Sequence, residues 1–455
     1  MERGSYVDDC VAVFPSVTPV CAASIATGVG QDRHLIPSMN WYHREESRYV
    51  EYGSSFRAAR RFGIARQLTD TVYNLNRAHL APDVPTIFEQ LDDAGPRTAG
   101  TTYLIYRGRY EHEAANDTTL TRFASRVLIR HAVMGPRELF YADVFSSRDT
   151  GCRSQLGMPG VRDRHAGCVG SYLVEHDLFD FLLLSLPDND NHSHRNGPHA
   201  QVSSIAGADR QIGRLVEAGG GIDAFLEDYA VIVIADHSHA PVEQAISLWD
   251  EFADFTVLQP SDVRPEEAEI ALCPAQRSAM VYLLESQGSG SLLPRIVARA
   301  RAIPGVDLVM WREGDEAIIA GVAGELRFAP GDDVADARGA RWRVTGELAT
   351  LSATIEGATF HSDAYPDALA RSWDALACRR SGEVLLSAGA GYEFTDWGGA
   401  DHIGGGSHGS LHFSDSLAPL LCCGIDDDVR GERAQWSIKD VAPMIARHFG
   451  VATSA

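Results

Sequence analysis

A chain of 455 residues, 45% hydrophobic and 22% charged, carries enough apolar mass for a large core plus an inserted or second domain. Its formal net charge of −22 argues against binding a nucleic-acid polymer on a basic face, while a bound divalent ion could still reverse the local field for a small anionic substrate. No apolar run approaches the roughly 18–20 residues of a membrane span, and residues 1–9 lack the apolar stretch of a signal peptide.

The first informative stretch is 11–28. Residues 11–14 read as the end of a strand, followed by a turn and a short helix. Thr18 falls at the predicted N-cap, Pro19 at the first helical position and Gly28 at the stop. A hydroxyl there faces free backbone N–H groups and the positive end of the helix dipole, a place for a phosphate, although capping alone also explains a Thr. A loop dense in polar and aromatic groups follows, with His34, Asn40, Trp41, Tyr42, His43 and Arg44. Residues 58–68 read as a helix and 102–106 as a buried strand. Between about 109 and 170, a helical stretch at 121–131 is set in an aperiodic Gly/Arg-rich segment read as loop or lid.

The pattern then sharpens. Residues 179–186 form an apolar run bounded by Pro187, residues 203–217 an amphipathic helix, and residues 229–235 a second apolar run. Strand, helix, strand with both strands this apolar is the signature of a parallel sheet covered on both faces. From about 250 to 375 come shorter strands (280–284, 308–311, 324–328, 342–344) and a helix at 293–302. Residues 383–387 and 417–423 return to buried-strand character, and 441–449 close the chain as an amphipathic helix. The expected architecture is α/β: a doubly wound, mostly parallel sheet with helices on both faces, formed by residues 1–250 and 376–455, plus a smaller α+β insertion or cap at 251–375. The eight cysteines show no CxxC and no framework spacing; this suits reduced thiols and a cytoplasmic location, with Cys152 and Cys168 a pair that could bridge.

In open α/β sheets ligands bind beyond the carboxyl ends of the strands. After the first apolar run come Asp188, Asp190, His192 and His194; after the second, Asp236, His237 and His239; and after 383–387, a Gly-rich stretch ending in His408. Mixed Asp/His sets suit Zn²⁺ or a similar divalent ion. Asp188/His192 and Asp190/His194 share one spacing, so the residues alone leave both pairs open.

Together, FPSVTP…ATG with His34 downstream, Asp190-x-x-x-His194-x-x-Gly197-Pro198, Asp236-His237 and Gly406-Ser407-His408-Gly409 resemble the alkaline phosphatase superfamily, in its type I phosphodiesterase/nucleotide pyrophosphatase branch. The resemblance implies a hydrolase of phosphodiester or pyrophosphate bonds that passes through a phospho-threonine on Thr18 and uses two divalent ions, expected to be Zn²⁺. Asp236 and His237 would hold one ion together with Thr18; Asp190, His194 and His408 would hold the other; Asn40 would contact phosphate. The Asp190/His194 pair is preferred because Gly197-Pro198 follows it at the family's distance, leaving His192 and His239 as outer candidates. The partner implied is a small phosphorylated substrate such as a nucleotide. The family's first core strand and its ligand Asp have no counterpart in the 17 residues before Thr18. The Thr18 side is therefore expected to be one carboxylate short, with an unpaired strand edge beside it. The alternatives are a phosphomonoesterase, phosphonate hydrolase or phosphomutase of the same superfamily, or a degenerate non-catalytic binding protein. Aromatic groups such as Trp41 and Tyr42 at the nucleophile would favour diesters, and a basic clamp from Arg33, Arg44 or Arg195 would favour monoesters.

Overall fold

The computed structural model describes residues 3–115, 131–260, 264–284, 289–425 and 433–452. The predicted helix at 121–131 lies, apart from His131, outside them.

Two small sheets carry the strands expected of the α/β core. In one, Leu417–Cys423 is flanked by Ser5–Val11 and Val231–Ile234, both antiparallel to it. In the other, Thr98–Thr101 pairs in parallel with both Glu138–Tyr141 and Phe181–Leu184. The helices Arg162–Glu175 and Val202–Ala218 pack against each other beside this sheet. Phe181–Leu184 and Val231–Ile234 each end their sheet, and neither contains a buried residue. Helix Val202–Ala218 is equally uncovered, with Ile205 53% exposed.

The largest sheet is different. Nine strands between Ile270 and Ala388 form a sheet that is antiparallel except for one parallel contact. Val384–Ala388, expected in the core outside the 251–375 insertion, lies inside this sheet, antiparallel to Ser278–Leu283 on one side and Val306–Glu313 on the other. Its continuous apolar run reflects burial on both faces, which a parallel sheet and a covered antiparallel sheet share. Leu385 enters the large core that also holds the helix Thr18–Thr27, while Val384 and Leu386 enter the core under the helix Ser289–Arg301.

Local departures from the sequence reading have local causes. The N-cap of the first helix is Val17, so Thr18 is the first helical residue, and the helix start has no side-chain cap; Gly28 does end it, at φ 76°. The strand expected at 102–106 sits at Thr98–Thr101, because Thr102 adopts φ 61°. The helix expected at 58–68 breaks at Gly63 into Phe56–Phe62 and Ile64–Thr69. The segment read as loop or lid contributes the parallel strand Glu138–Tyr141 and the helix Arg162–Glu175, to which the Cys152–Cys168 disulfide ties the preceding loop. No helix among the described residues is long and apolar enough to cross a membrane.

Candidate metal centre

The centre is built from four chain segments. Helix Asp188–Asn196 starts just beyond the strand Phe181–Leu184. Asp190 and His194 are four residues apart on it and so share one face, with His194 Nε2 3.4 Å from Asp190 Oδ1. The competing pair is committed elsewhere. Asp188 accepts from the backbone N–H groups of Gly160 and Asp163 and from Arg162. His192 Nε2 lies 3.0 Å from the Ala200 carbonyl.

The second segment is the turn between Val231–Ile234 and Ala240–Ile246, which delivers Asp236, His237 and His239. The third is the Gly-rich run: Gly406 and Ser407 pair with Pro241 and Ala240, setting His408 against this turn. Gly405 must be glycine, since a Cβ there would fall 2.0 Å from the His194 carbonyl oxygen. The fourth is the nucleophile turn. The His408 Nδ1–H donates to the Ser16 carbonyl at 2.7 Å, and the Gly409 N–H donates to Ser16 Oγ at 3.1 Å.

Asp190, His194, His239 and His408 offer ligand atoms that all lie within 4.8 Å of one another. Beside them, His237 stacks on His408 with centroids 3.7 Å apart, and its Nε2 is 3.4 Å from both Asp236 Oδ2 and Thr18 Oγ1. The hydrogen bonding of the rings fits a cation. His194, His237 and His408 each place Nδ1 against a main-chain carbonyl, of Gly406, Ser238 and Ser16 respectively. Each Nδ1–H is therefore a donor, and each Nε2 lone pair faces a carboxylate, acceptor against acceptor. A metal ion between them satisfies both, and the outer carbonyls are the partners that metal-ligating histidines ordinarily have. His408 Nε2 is buried without a hydrogen-bond partner.

Electrostatics follow the same arrangement. Burial pushes the Asp190 carboxyl up, yet the surrounding His194, His239 and His408 outweigh it and hold the group well below the usual carboxylate range. Burial, reinforced by His237, drives His408 well below the ordinary imidazole value, and burial likewise lowers His239. For His194 burial is outweighed by Asp190, and its pKa rises.

Asn40 is buried, and its Nδ2 donates to the Val50 carbonyl; it makes no hydrogen bond to Thr18 or to the Asp/His cluster among the described residues. Trp41 and Tyr42 are core residues, 0% and 4% exposed, so they form no open platform for a base. Arg44 donates to the Ser381 carbonyl and pairs with Glu383, and Arg33 and Arg195 are exposed. His34 is buried between Ser24 and the Ile36 N–H, its pKa lowered to about 3 by burial. Sequence reasoning placed His239 outside the cluster and passed over His402, whose ring stacks on His194 at 4.1 Å and whose Nδ1 bonds the buried Glu393. The signal for His402 was present: Asp401-His402 repeats the dipeptide Asp236-His237.

Residues 1–411 match the family model described as type I phosphodiesterase/nucleotide pyrophosphatase. No curated protein matches the chain. Among solved structures, murine ectonucleotide pyrophosphatase/phosphodiesterase 5 is similar with a TM-score of 0.57 at 11% identity, covering 100% of this chain and 89% of that one. An inactive variant of that murine protein, solved with AMP, gives the same TM-score of 0.57 at 11% identity, over 100% and 88% of the two chains. Phosphonoacetate hydrolase from Sinorhizobium meliloti 1021, solved with phosphonoacetate, gives 0.51 at 16% identity, over 98% and 88%. At these identities the likeness establishes the fold, which is alkaline-phosphatase-like.

Proposed function

The chain belongs to the type I phosphodiesterase/nucleotide pyrophosphatase family, a family of metal-dependent phosphoric ester hydrolases, and on that premise we propose that it hydrolyses phosphodiester or pyrophosphate bonds of a small phosphorylated substrate, such as a nucleotide, with Thr18 as nucleophile and two zinc ions. The observation that carries this reading is the position of Thr18 Oγ1, 3.4 Å from His237 Nε2, at the edge of a cluster of two aspartates and four histidines. Asp236 and His237 would hold one ion with Thr18; Asp190, His194 and His408 would hold the other. Bound there, the ions would lower the pKa of the threonine hydroxyl and offset charge developing on the attacking and leaving oxygens.

The chain's own groups do the rest. As the first residue of its helix, Thr18 stands at the positive end of the helix dipole, which favours the anionic phosphoryl group it attacks. The Ser16 carbonyl fixes the His408 ring and so ties the nucleophile turn to the metal cluster. Thr18 attacks phosphorus and the bond to the leaving group breaks, leaving the rest of the substrate esterified to Thr18 through phosphorus; water then attacks that phosphorus, releases the phosphate monoester and restores the hydroxyl. The murine neighbour supports the nucleophile assignment, since replacing a threonine by alanine makes it inactive, and its AMP complex supports a nucleotide substrate. The phosphonoacetate hydrolase neighbour keeps a phosphonate substrate as the second reading.

A zinc-supplemented panel decides between them. A nitrophenyl nucleotide diester should turn over faster than nitrophenyl phosphate or phosphonoacetate, and Thr18→Ala should abolish turnover while zinc content stays nearly intact. Faster hydrolysis of the monoester or phosphonate would move the assignment to that class, and an unimpaired Thr18→Ala enzyme would refute the nucleophile.

A further inference from the structure

We infer that His239 is a fourth protein ligand in the Asp190 subsite, joining Asp190, His194 and His408 around one ion. This rests on the metal-centre reading above and adds to it.

Three observations carry the inference. The first is distance. The Nε2 atoms of His239, His194 and His408 lie 3.0, 3.4 and 3.5 Å from one and the same oxygen, Asp190 Oδ1. Ligand bonds of about 2.0–2.1 Å place neighbouring donors of a tetrahedron about 3.3 Å apart, close to these three separations, and all four donors lie within 4.8 Å of one another. The second is enclosure. The side chains of His239 and His408 are 4% and 1% exposed, and their rings meet at 4.9 Å, with His194 4.8 Å from His239. The third is the chain path. His237 and His239 alternate along one turn, so a single segment reaches Thr18 through His237 and the Asp190 subsite through His239.

Four protein donors are the mark of a closed zinc site, and three with a free position the mark of a reactive one. Four protein donors would hold the ion of the Asp190 subsite more tightly than the three without His239. His239 could instead be a hydrogen-bond donor to Asp190, and the two roles differ in metal affinity.

The test is metal binding, read without turnover. Metal-free protein is titrated with Zn²⁺ against a chromophoric chelator, and with Co²⁺ to record the visible spectrum, for the wild type, His239→Ala, His239→Gln, Asp190→Asn and His192→Ala. Circular dichroism of each metal-free variant establishes that it is folded. The expected wild type binds one ion tightly in the Asp190 subsite and gives the intense spectrum of four-coordinate cobalt. His239→Ala and His239→Gln should weaken the tight site at least 100-fold and remove that spectrum, as Asp190→Asn does, while His192→Ala changes neither. If Asp190→Asn weakens the tight site and both His239 variants stay within threefold of wild type, His239 is no ligand and the inference falls while the metal centre stands. If Asp190→Asn is also without effect, the metal-centre reading falls with it.

Discussion

The nine-stranded sheet and the two small sheets that carry the centre are built from equally apolar sequence, yet they end in opposite states. Ile270, Leu272, Met280, Val281, Met310, Ile318, Leu385 and Leu386 are all 0% exposed, divided between two cores on either face of the large sheet. Phe181–Leu184 and Val231–Ile234 contain no buried residue, and nor does the helix Val202–Ala218, which lies between them in sequence. The central strands of the large sheet are covered on both faces, whereas Phe181–Leu184 and Val231–Ile234 stand half-covered at sheet edges and lead into charged, metal-type side chains. Stability and chemistry are thus assigned to different halves, and variants in the two should fail in different ways.

The largest stability effect is expected where the halves are joined. Arg277, which opens the large-sheet strand pair, forms a fully buried ion pair with Asp415 at 2.9 Å, and its backbone N–H donates to the His408 carbonyl at 2.8 Å. Asp415 also accepts from the Ser410 N–H, and its carbonyl accepts from the Ser238 N–H. Asp415→Asn leaves the guanidinium charge buried and uncompensated. It should cost about 3–5 kcal/mol in denaturant unfolding and also loosen metal binding. Loss of stability with metal affinity intact would show that the pair does not position the centre.

Within each half the contrast can be read from one truncation apiece. Leu386→Ala opens a cavity in the large sheet and should cost about 2–5 kcal/mol, with kcat per folded molecule unchanged. Ile205→Ala, on a residue 53% exposed, should change stability by less than about 0.5 kcal/mol. Equal costs would erase the distinction drawn between the halves.

The buried histidines give stability a pH dependence of known sign. Burial lowers His34 and His79 from 6.5 to about 3, so each stays neutral in the folded chain where the unfolded chain is protonated. Their contribution is fully present above about pH 6.5 and is lost as pH falls toward 3, at about 1.4 kcal/mol per pH unit for each group. Unfolding at pH 7, 6 and 5 should show that decline, and His34→Gln should flatten it by roughly one such increment. A slope unchanged by His34→Gln would contradict it.

What the sequence disclosed and what it hid divide along the same line. The site-bearing strands and helices were legible because their apolar runs stop abruptly at Pro187 and Asp236, where local chemistry changes. The place of Val384–Ala388 was not, because an apolar run reports burial on both faces and says nothing of strand direction or of which neighbours it joins. Thr18 was legible as the start of a helix but not as an uncapped first residue, since whether its hydroxyl turns to the backbone or to His237 is set by a turn 219 residues away. His239 was hidden for a similar reason: only the pairing of Ala240 with Ser407 brings it against His408.

Rapid quench of a single turnover tests the central claim most directly. Zinc-loaded protein mixed with excess nitrophenyl nucleotide diester, stopped in acid within the first turnover and digested, should yield the peptide bearing Thr18 with the nucleoside monophosphate esterified to the threonine oxygen. That form should rise with the nitrophenol burst and be absent from Thr18→Ala. Full turnover with no nucleotidylated Thr18 peptide at any quench time, or with Thr18→Ala as fast as the wild type, would contradict the account.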